Sequence, residues 1–236
     1  YKDITDISVY VKFPIKGEKN KYLLAWTTTP WTLPGNFALA VNKDDIYAVV
    51  ESVTAEGVKE SLILAKDRLV SAKADLKVVT EIKGGELVGV EYEPPFGYFL
   101  NKDFPGKEKA WKVYSGEFVT MTDGTGIVHI APGYGEDDMT LSKKESIPFI
   151  HHVTTEGKFA EAVTDFKGLL VKPKDDEATG ANHQSSDIEI IKYLAKKGLL
   201  FGKEKIIHSY PHCYRCETPL YYYAIPAWFV KISESK

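Results

Sequence analysis

The sequence predicts a mixed, β-rich domain with a β-barrel core of short strands, closed or nearly closed and decorated by a few helices. Three observations carry that expectation. Short apolar or alternating runs recur through the first two-thirds of the chain. Turn residues (Gly, Pro, Asn and Asp) punctuate them. Helical spacing surfaces in only a few places, most clearly over residues 185–200.

Taken in order, "KYLLAWTTT" (21–29), "FALAVN" (37–42) and "YAVVESV" (47–53) read as strands, with "NKDD" turning between the last two. "SLILA" (61–65) is another strand, and "KDRLVSAKA" (66–74) has helical spacing. "LKVVTEI" (76–82) is a strand leading into a Gly84-Gly85 turn. "WKVYSGEFVTM" (111–121) and "TGIVHIA" (125–131) are expected to form a hairpin across Thr122-Asp123-Gly124. "GYGEDDMTLSKKES" (133–146) turns helical, with Asp137 and Asp138 in the first turn and Asp137 as its cap. "PFIHHV" (148–153) reads as a strand carrying His151 and His152 on its surface. "SSDIEIIKYLAKKGLL" (185–200) is a helix capped by Ser185 or Ser186 and ended by Gly198. Its apolar face is Ile188, Ile191, Leu194 and Ala195. From residue 206 the texture becomes rich in Pro and Tyr, which divides the chain into a domain over 1–205 and a connector over 206–236.

Composition narrows the function classes. The chain has 236 residues, 44% apolar and 27% charged, with a net charge of −3. Arg68 and Arg215 are its only arginines. Such a surface is ill suited to gripping a long nucleic-acid backbone, which takes many phosphate contacts, but it can hold one or two nucleotides in a pocket. No apolar run reaches the ~18 residues of a membrane span, and no signal-peptide pattern is present. The start "YKDITD", without Met, reads as a piece of a longer protein. Two cysteines are too few for a disulfide framework and suit a reducing, cytoplasmic setting.

Three segments carry candidate chemistry: "TTTPWTLPGN" (27–36), "GTGIVHIAPGYGEDD" (124–138) and "HSYPHCYRC" (208–216). The first is a strand end breaking into a rigid turn. Its Thr27, Thr28, Thr29 and Thr32 are either solvated hydroxyls or a functional cluster. Asp138 in a helix's first turn reads by itself as a dipole partner. His129 in "GIVHI" is a buried core histidine or a general base. Gly124, Thr125 and Gly126 are a plain turn or a place where backbone approaches a ligand. They are no phosphate loop, since they precede a strand and lack a Lys-Ser/Thr pair. Cys213 and Cys216 have metal-ligand spacing, but tetrahedral zinc needs four ligands.

Together and in this order, the three segments resemble the editing domain of isoleucyl-tRNA synthetase, over nearly the whole chain. Thr29-Pro30-Trp31-Thr32-Leu33-Pro34 is the isoleucine form of the motif rather than that of the valine or leucine siblings. The connector resembles the eukaryotic cytosolic form. The resemblance implies the class I Val/Ile/Leu synthetase editing-domain fold. It implies hydrolysis of the ester of valyl-tRNA, after and also before transfer, within an enzyme that otherwise ligates isoleucine to tRNA with ATP. The "HIGH" and "KMSKS" signatures of that ATP-dependent step are absent from these 236 residues.

The same resemblance implies residue roles. Asp138 would hold the substrate's α-ammonium, while Thr27, Thr28, Thr29 and Thr32 line the pocket and hold ester and water. Trp31, Asn36, Gly124, Thr125, Gly126 and His129 would contact substrate, with His129 as a wall against isoleucine's extra methyl. No cofactor is implied. The partners would be the 3′-terminal CCA end of the tRNA for isoleucine, carrying valine, and the rest of the parent synthetase, with no membrane. Cys213 and Cys216 would be half of a zinc site. Competing readings are a valyl or leucyl sibling, and a non-catalytic RNA-binding or zinc module.

Overall fold

The computed structural model describes residues 1–72, 76–178, 180–228 and 230. A single nine-stranded mixed sheet curls into a strand-rich half-barrel. Its strands are β1 (Lys2–Pro14), β2 (Lys21–Thr27), β3 (Ala38–Val41), β4 (Ile46–Val53), β5 (Lys59–Ala65), β6 (Lys77–Lys83), β7 (Lys112–Ser115), β8 (Ile127–Ile130) and β9 (Leu200–Tyr210). The main order is β6-β4-β5-β2-β8-β3-β7, and β1 adds to β2 and carries β9 on its other edge. Among the described residues three α-helices decorate it: α1 (Gly84–Leu87), α2 (Glu136–Glu145) and α3 (Ser185–Lys196).

The period-2 rule of strands explains how one sheet serves two cores. In β3, Leu39 and Val41 enter the central cluster, which also holds Phe13, Trp31, Tyr92 and Ile190. Ala38 and Ala40 face the opposite cluster with Phe37, Ile130 and Leu141 of α2. In β2, Leu23 and Ala25 join the central cluster, whereas Leu24 joins Tyr10, Val50 and Leu62 on the far side. His129 lies directly opposite Leu39 in register, so it shares Leu39's face and points toward the central core.

Most of the expected strands form within a residue or two of their sequence limits. β1 has no counterpart in the sequence reading, and β9 crosses the boundary expected at 205/206. β7 and β8 form no hairpin, because β3 lies between them, parallel to β7 and antiparallel to β8. Residues 66–74 form a 3-10 turn over Lys66–Ala72, and the rest of that stretch lies outside the described residues. The Gly84-Gly85 turn is the start of α1. Residues 148–152 form no strand, and Val153 makes only an isolated bridge to Phe159. His152 is fully buried rather than on a surface.

Both helix caps also differ from expectation. The N-cap of α2 is Gly135, without a side-chain bond, and Asp137 is exposed. The N-cap of α3 is Gln184, because the Ser185 hydroxyl bonds back to the Asn182 carbonyl and the Ser186 hydroxyl donates to the Val171 carbonyl. α3 buries Ser186, Asp187, Ile190, Ile191 and Leu194, while Ile188 and Ala195 face outward. Gly198 ends it in the left-handed region, as expected.

Candidate active site

β2 ends at Thr27, and residues Pro30–Gly35 wind into a 3-10 turn that is buried throughout. Pro30 opens the turn, where a missing N–H does no harm. The Thr27 hydroxyl accepts from the Thr29 amide at 3.2 Å and lies 3.3 Å from the Thr29 hydroxyl. The Thr29 hydroxyl lies 3.4 Å from that of Thr32. Three of the four expected hydroxyls therefore form one connected row, and Thr28 stands half-buried beside it.

β8 runs parallel to β2, with Val128 beside Trp26, and this brings His129 to the row. A chain of hydrogen bonds determines the state of its ring. The Asn36 side-chain amide donates to the Ala38 carbonyl at 2.9 Å, which can only accept, so its nitrogen is placed there. The same nitrogen reaches His129 Nδ1 at 2.8 Å. Nδ1 is thus the acceptor, and the proton sits on Nε2, which donates to the Thr32 hydroxyl at 3.0 Å. Thr32 passes its own proton to the Thr29 carbonyl at 2.8 Å. At the other end, Tyr92 donates to Asn36 Oδ1 at 2.7 Å. Tyr92 is a member of this chain that sequence reading did not find.

Burial, and secondarily the neighbouring His152, pushes the His129 pKa down to about 3. The ring is neutral near pH 7, with both nitrogens engaged, and offers no free lone pair to a substrate proton. His152 is likewise pushed down to about 3 by burial. Its Nε2 donates to the Trp31 carbonyl at 3.0 Å, and any side chain at Gly35 would overlap its ring.

Asp138 stands in the first turn of α2. The residue is half-buried, but its carboxyl end turns inward against Gly135 and accepts the Ala131 amide at 2.6 Å. Ala131, whose amide the carboxylate takes, is two residues beyond His129 in sequence. Burial raises the Asp138 pKa to about 6, against the lowering effect of the Ala131 amide.

Of the threonine row, Thr29 lines a cavity of about 400 Å³, walled by Trp31, Tyr134, Tyr210, Tyr221 and Tyr222 among others. Trp31 is almost wholly buried and packs edge-on against Tyr134 and Tyr221. Gly124 and Gly126 both take left-handed backbone. A side chain at the first would press on Trp26, and at the second on Ala65. Thr125 is buried, with its hydroxyl directed to the Ile127 carbonyl at 3.3 Å. The three residues form a tight turn leading into β8.

Cys213 and Cys216 are free thiols. Among the described residues no group of three or more His, Cys, Asp or Glu could hold a metal. His208 is drawn to Asp6 at 2.8 Å and His212 to the Tyr210 carbonyl at 2.9 Å, so neither turns to the cysteines.

Comparisons with known proteins place this architecture. It matches the P. knowlesi cytosolic leucyl-tRNA synthetase editing domain with a TM-score of 0.55 at 14% identity, covering 88% of this chain and 98% of that one. It matches GlLeuRS-CP1 with a TM-score of 0.55 at 15% identity, covering 87% of this chain and 100% of that one. The fold is therefore that of the editing domains of class I aminoacyl-tRNA synthetases. By sequence the chain belongs to the isoleucine–tRNA ligase family. It is 49% identical to the ligase of Clostridium acetobutylicum over 233 residues, which is 99% of this chain. It is 43% identical to the Bacillus thuringiensis ligase over 239 residues and 43% identical to that of Saccharolobus solfataricus over 241. The chain spans about a fifth of the length of the curated relatives it matches, 20%, 21% and 23% respectively. These relatives are bacterial and archaeal. No family model matches the chain.

Proposed function

We propose that this chain is a hydrolytic editing domain, cleaving the ester that joins valine to the 3′ end of the tRNA for isoleucine. The observation that carries the reading is the hydroxyl row Thr27–Thr29–Thr32, ordered by His129, with Thr29 at the wall of the cavity. A synthetic pocket built for isoleucine rejects valine by only ~1–3 kcal/mol, so a second, smaller site must remove the error.

In this reading Asp138, ionised at neutral pH, accepts the α-ammonium in a charge-assisted bond. Thr29 lines the cavity, and in this reading its hydroxyl holds the ester and the attacking water together. Water attacks the ester carbonyl, the tetrahedral oxyanion is stabilised by the Thr29 hydroxyl, whose proton is not committed to a carbonyl, and the ribose oxygen leaves as a hydroxyl carrying the water's proton. No threonine acts as a covalent nucleophile. That route needs an adjacent base, and the nearest imidazole, His129, already donates from Nε2 and accepts at Nδ1. His129 instead stands as a wall that limits the size of the amino acid.

The CCA end of the tRNA and the remainder of a parent synthetase are the partners, and ATP-dependent ligation of isoleucine belongs to that parent. Among the described residues no helix is long and apolar enough to cross a membrane, and cytoplasmic placement is part of the same proposal. The reading against a valyl or leucyl sibling is supported by the 49% and 43% identities to isoleucine ligases. The test is release of amino acid from valyl-tRNA and isoleucyl-tRNA charged on the isoleucine acceptor. Selective release of valine is expected, and a purified chain that binds the charged tRNA without hydrolysing it would favour the non-catalytic module.

A further inference from the structure

We propose that Asp187 is a positioning residue of the hydroxyl row, acting through the backbone amide of Trp31. Its functional readout rests on the editing reading; its structural readout does not.

The 3-10 turn has an unusual start. Pro30 brings no N–H, and Thr29 at the N-cap offers no side-chain bond. The Thr32 amide is taken by the Thr29 carbonyl at 3.0 Å. The Trp31 amide is thus the turn's leading donor, in a residue only 2% exposed. Left unpaired it would carry a full desolvation cost. Asp187, 156 residues away in the first turn of α3, accepts it through Oδ1 at 2.9 Å. Asp187 therefore supplies from a distance the cap that the turn's own sequence lacks.

A carboxylate 1% exposed is costly to bury, so its surroundings must hold it. Three elements do so. The Ser186 hydroxyl ties the start of α3 to the Val171 carbonyl. Lys172 lies next in sequence and faces both Asp187 and Asp6. Its ammonium meets the two Asp6 oxygens at 2.9 and 2.8 Å, buried on both sides. Tyr210 of β9 faces the same two carboxylates. His208 and His183 close on Asp6 at 2.8 and 3.3 Å from the outer side. Asp187 Oδ2 has no hydrogen-bond partner among the described residues, so the whole commitment of this side chain is to Trp31 and to the field of Lys172. The peptide it grips lies one residue before Thr32. Rotating that peptide would lift the Thr32 hydroxyl off both the Thr29 carbonyl and His129.

The experiment compares wild type, Asp187→Ala and Asp187→Asn in this chain. Hydrogen exchange of the Trp31 amide is measured by NMR alongside valyl-tRNA deacylation. Asp187→Asn keeps an acceptor at the same place, and Asp187→Ala removes it. The Trp31 amide should exchange at least about tenfold faster in Asp187→Ala and stay protected in Asp187→Asn. Deacylation by Asp187→Ala should fall about ten- to thirtyfold in kcat with KM within about twofold, and Asp187→Asn should stay within about threefold of wild type. A folded Asp187→Ala chain with Trp31 as protected as in wild type would overturn the proposal. So would an Asp187→Asn chain that loses protection and rate together, and that arm decides the matter if Asp187→Ala does not fold. If wild type itself releases no valine, the editing reading falls and the exchange rates alone decide the role of Asp187.

Discussion

Asn36 donates an amide hydrogen to His129 Nδ1 at 2.8 Å, and every donor direction beyond it follows from that contact. The ring proton goes to Nε2, then to Thr32, whose own proton is spent on the Thr29 carbonyl. Histidine 15N shifts should therefore report the neutral Nε2–H form of His129 throughout about pH 5 to 8. Tyr92→Phe keeps the edge-on packing with Phe13 but leaves Asn36 Oδ1 buried and unpaired, at a cost of about 1–3 kcal/mol in denaturant unfolding. The tautomer should survive, since the Ala38 carbonyl still aims the amide. An Nδ1–H signal in wild type would reverse the whole chain of donors.

Asp138→Asn separates charge from shape. An asparagine keeps an oxygen for the Ala131 amide, so α2 should stay docked while the ammonium handle is lost. Valyl-tRNA deacylation should drop roughly 30- to 3,000-fold, as when one partner of a desolvated charge pair is removed. Near-normal hydrolysis by the folded variant would leave Asp138 with a structural role only.

His129→Ala tests the wall. Enlarging the site should let correctly charged isoleucyl-tRNA be cleaved roughly ten- to a hundredfold faster while valine is still released, because an extra methylene in a packed site costs ~1–3 kcal/mol. Parallel loss of both activities by 10²–10⁴-fold is the mark of a general base. The engaged ring nitrogens argue against that outcome.

Stability should respond to pH in two opposed ways. His129 and His152, held near about 3 when folded, take up protons first in the unfolded chain. Acidification from about 6.5 to 3 therefore favours unfolding, by about 2 kcal/mol per histidine at pH 5. Asp187 and Asp138, raised to about 7 and about 6, take up protons first in the folded chain, so acidification toward about 4 favours folding. The two contributions nearly cancel between about pH 7 and 5, and stability should fall off below about pH 4. There the histidines are joined by Glu56, Glu91, Asp175 and Glu217, whose carboxyls are held below their ordinary range by hydrogen bonds in the folded chain. In His152→Gln the balance tilts, and stability should rise on going from pH 7 to 5. A wild-type profile that drops steeply between pH 7 and 5 would contradict the raised carboxyls.

What sequence reading reached and what it missed follow from the range of the interactions. The threonine segment and the His129-to-Asp138 stretch are local in the chain, and the turn after β2, β8 and α2 could all be read from neighbouring residues. β1 could not. Its charged residues mask the strand pattern, because Lys12 is neutralised by Glu60 at 2.7 Å and Asp6 by Lys172, 48 and 166 residues away. The expected hairpin of β7 and β8 failed for a similar reason: the strand that separates them, β3, comes more than 70 residues earlier. Tyr92 and Asp187 reach the site over 56 and 156 residues, so no local motif announces them.

The long ladder between β1 and β9 places Lys2 opposite Tyr210. The two strands run one strand spacing, ~4.8 Å, apart, and beyond Tyr210 the chain turns back over the cavity, where Tyr221 packs on Trp31 and the Ala224 amide donates to the Gly133 carbonyl. The paired strands make a stem at one edge of the sheet, since β9 pairs with β1 alone among the described strands. Pulling Lys2 and Tyr210 apart would open this antiparallel ladder from one end, bond after bond, rather than load all its bonds at once.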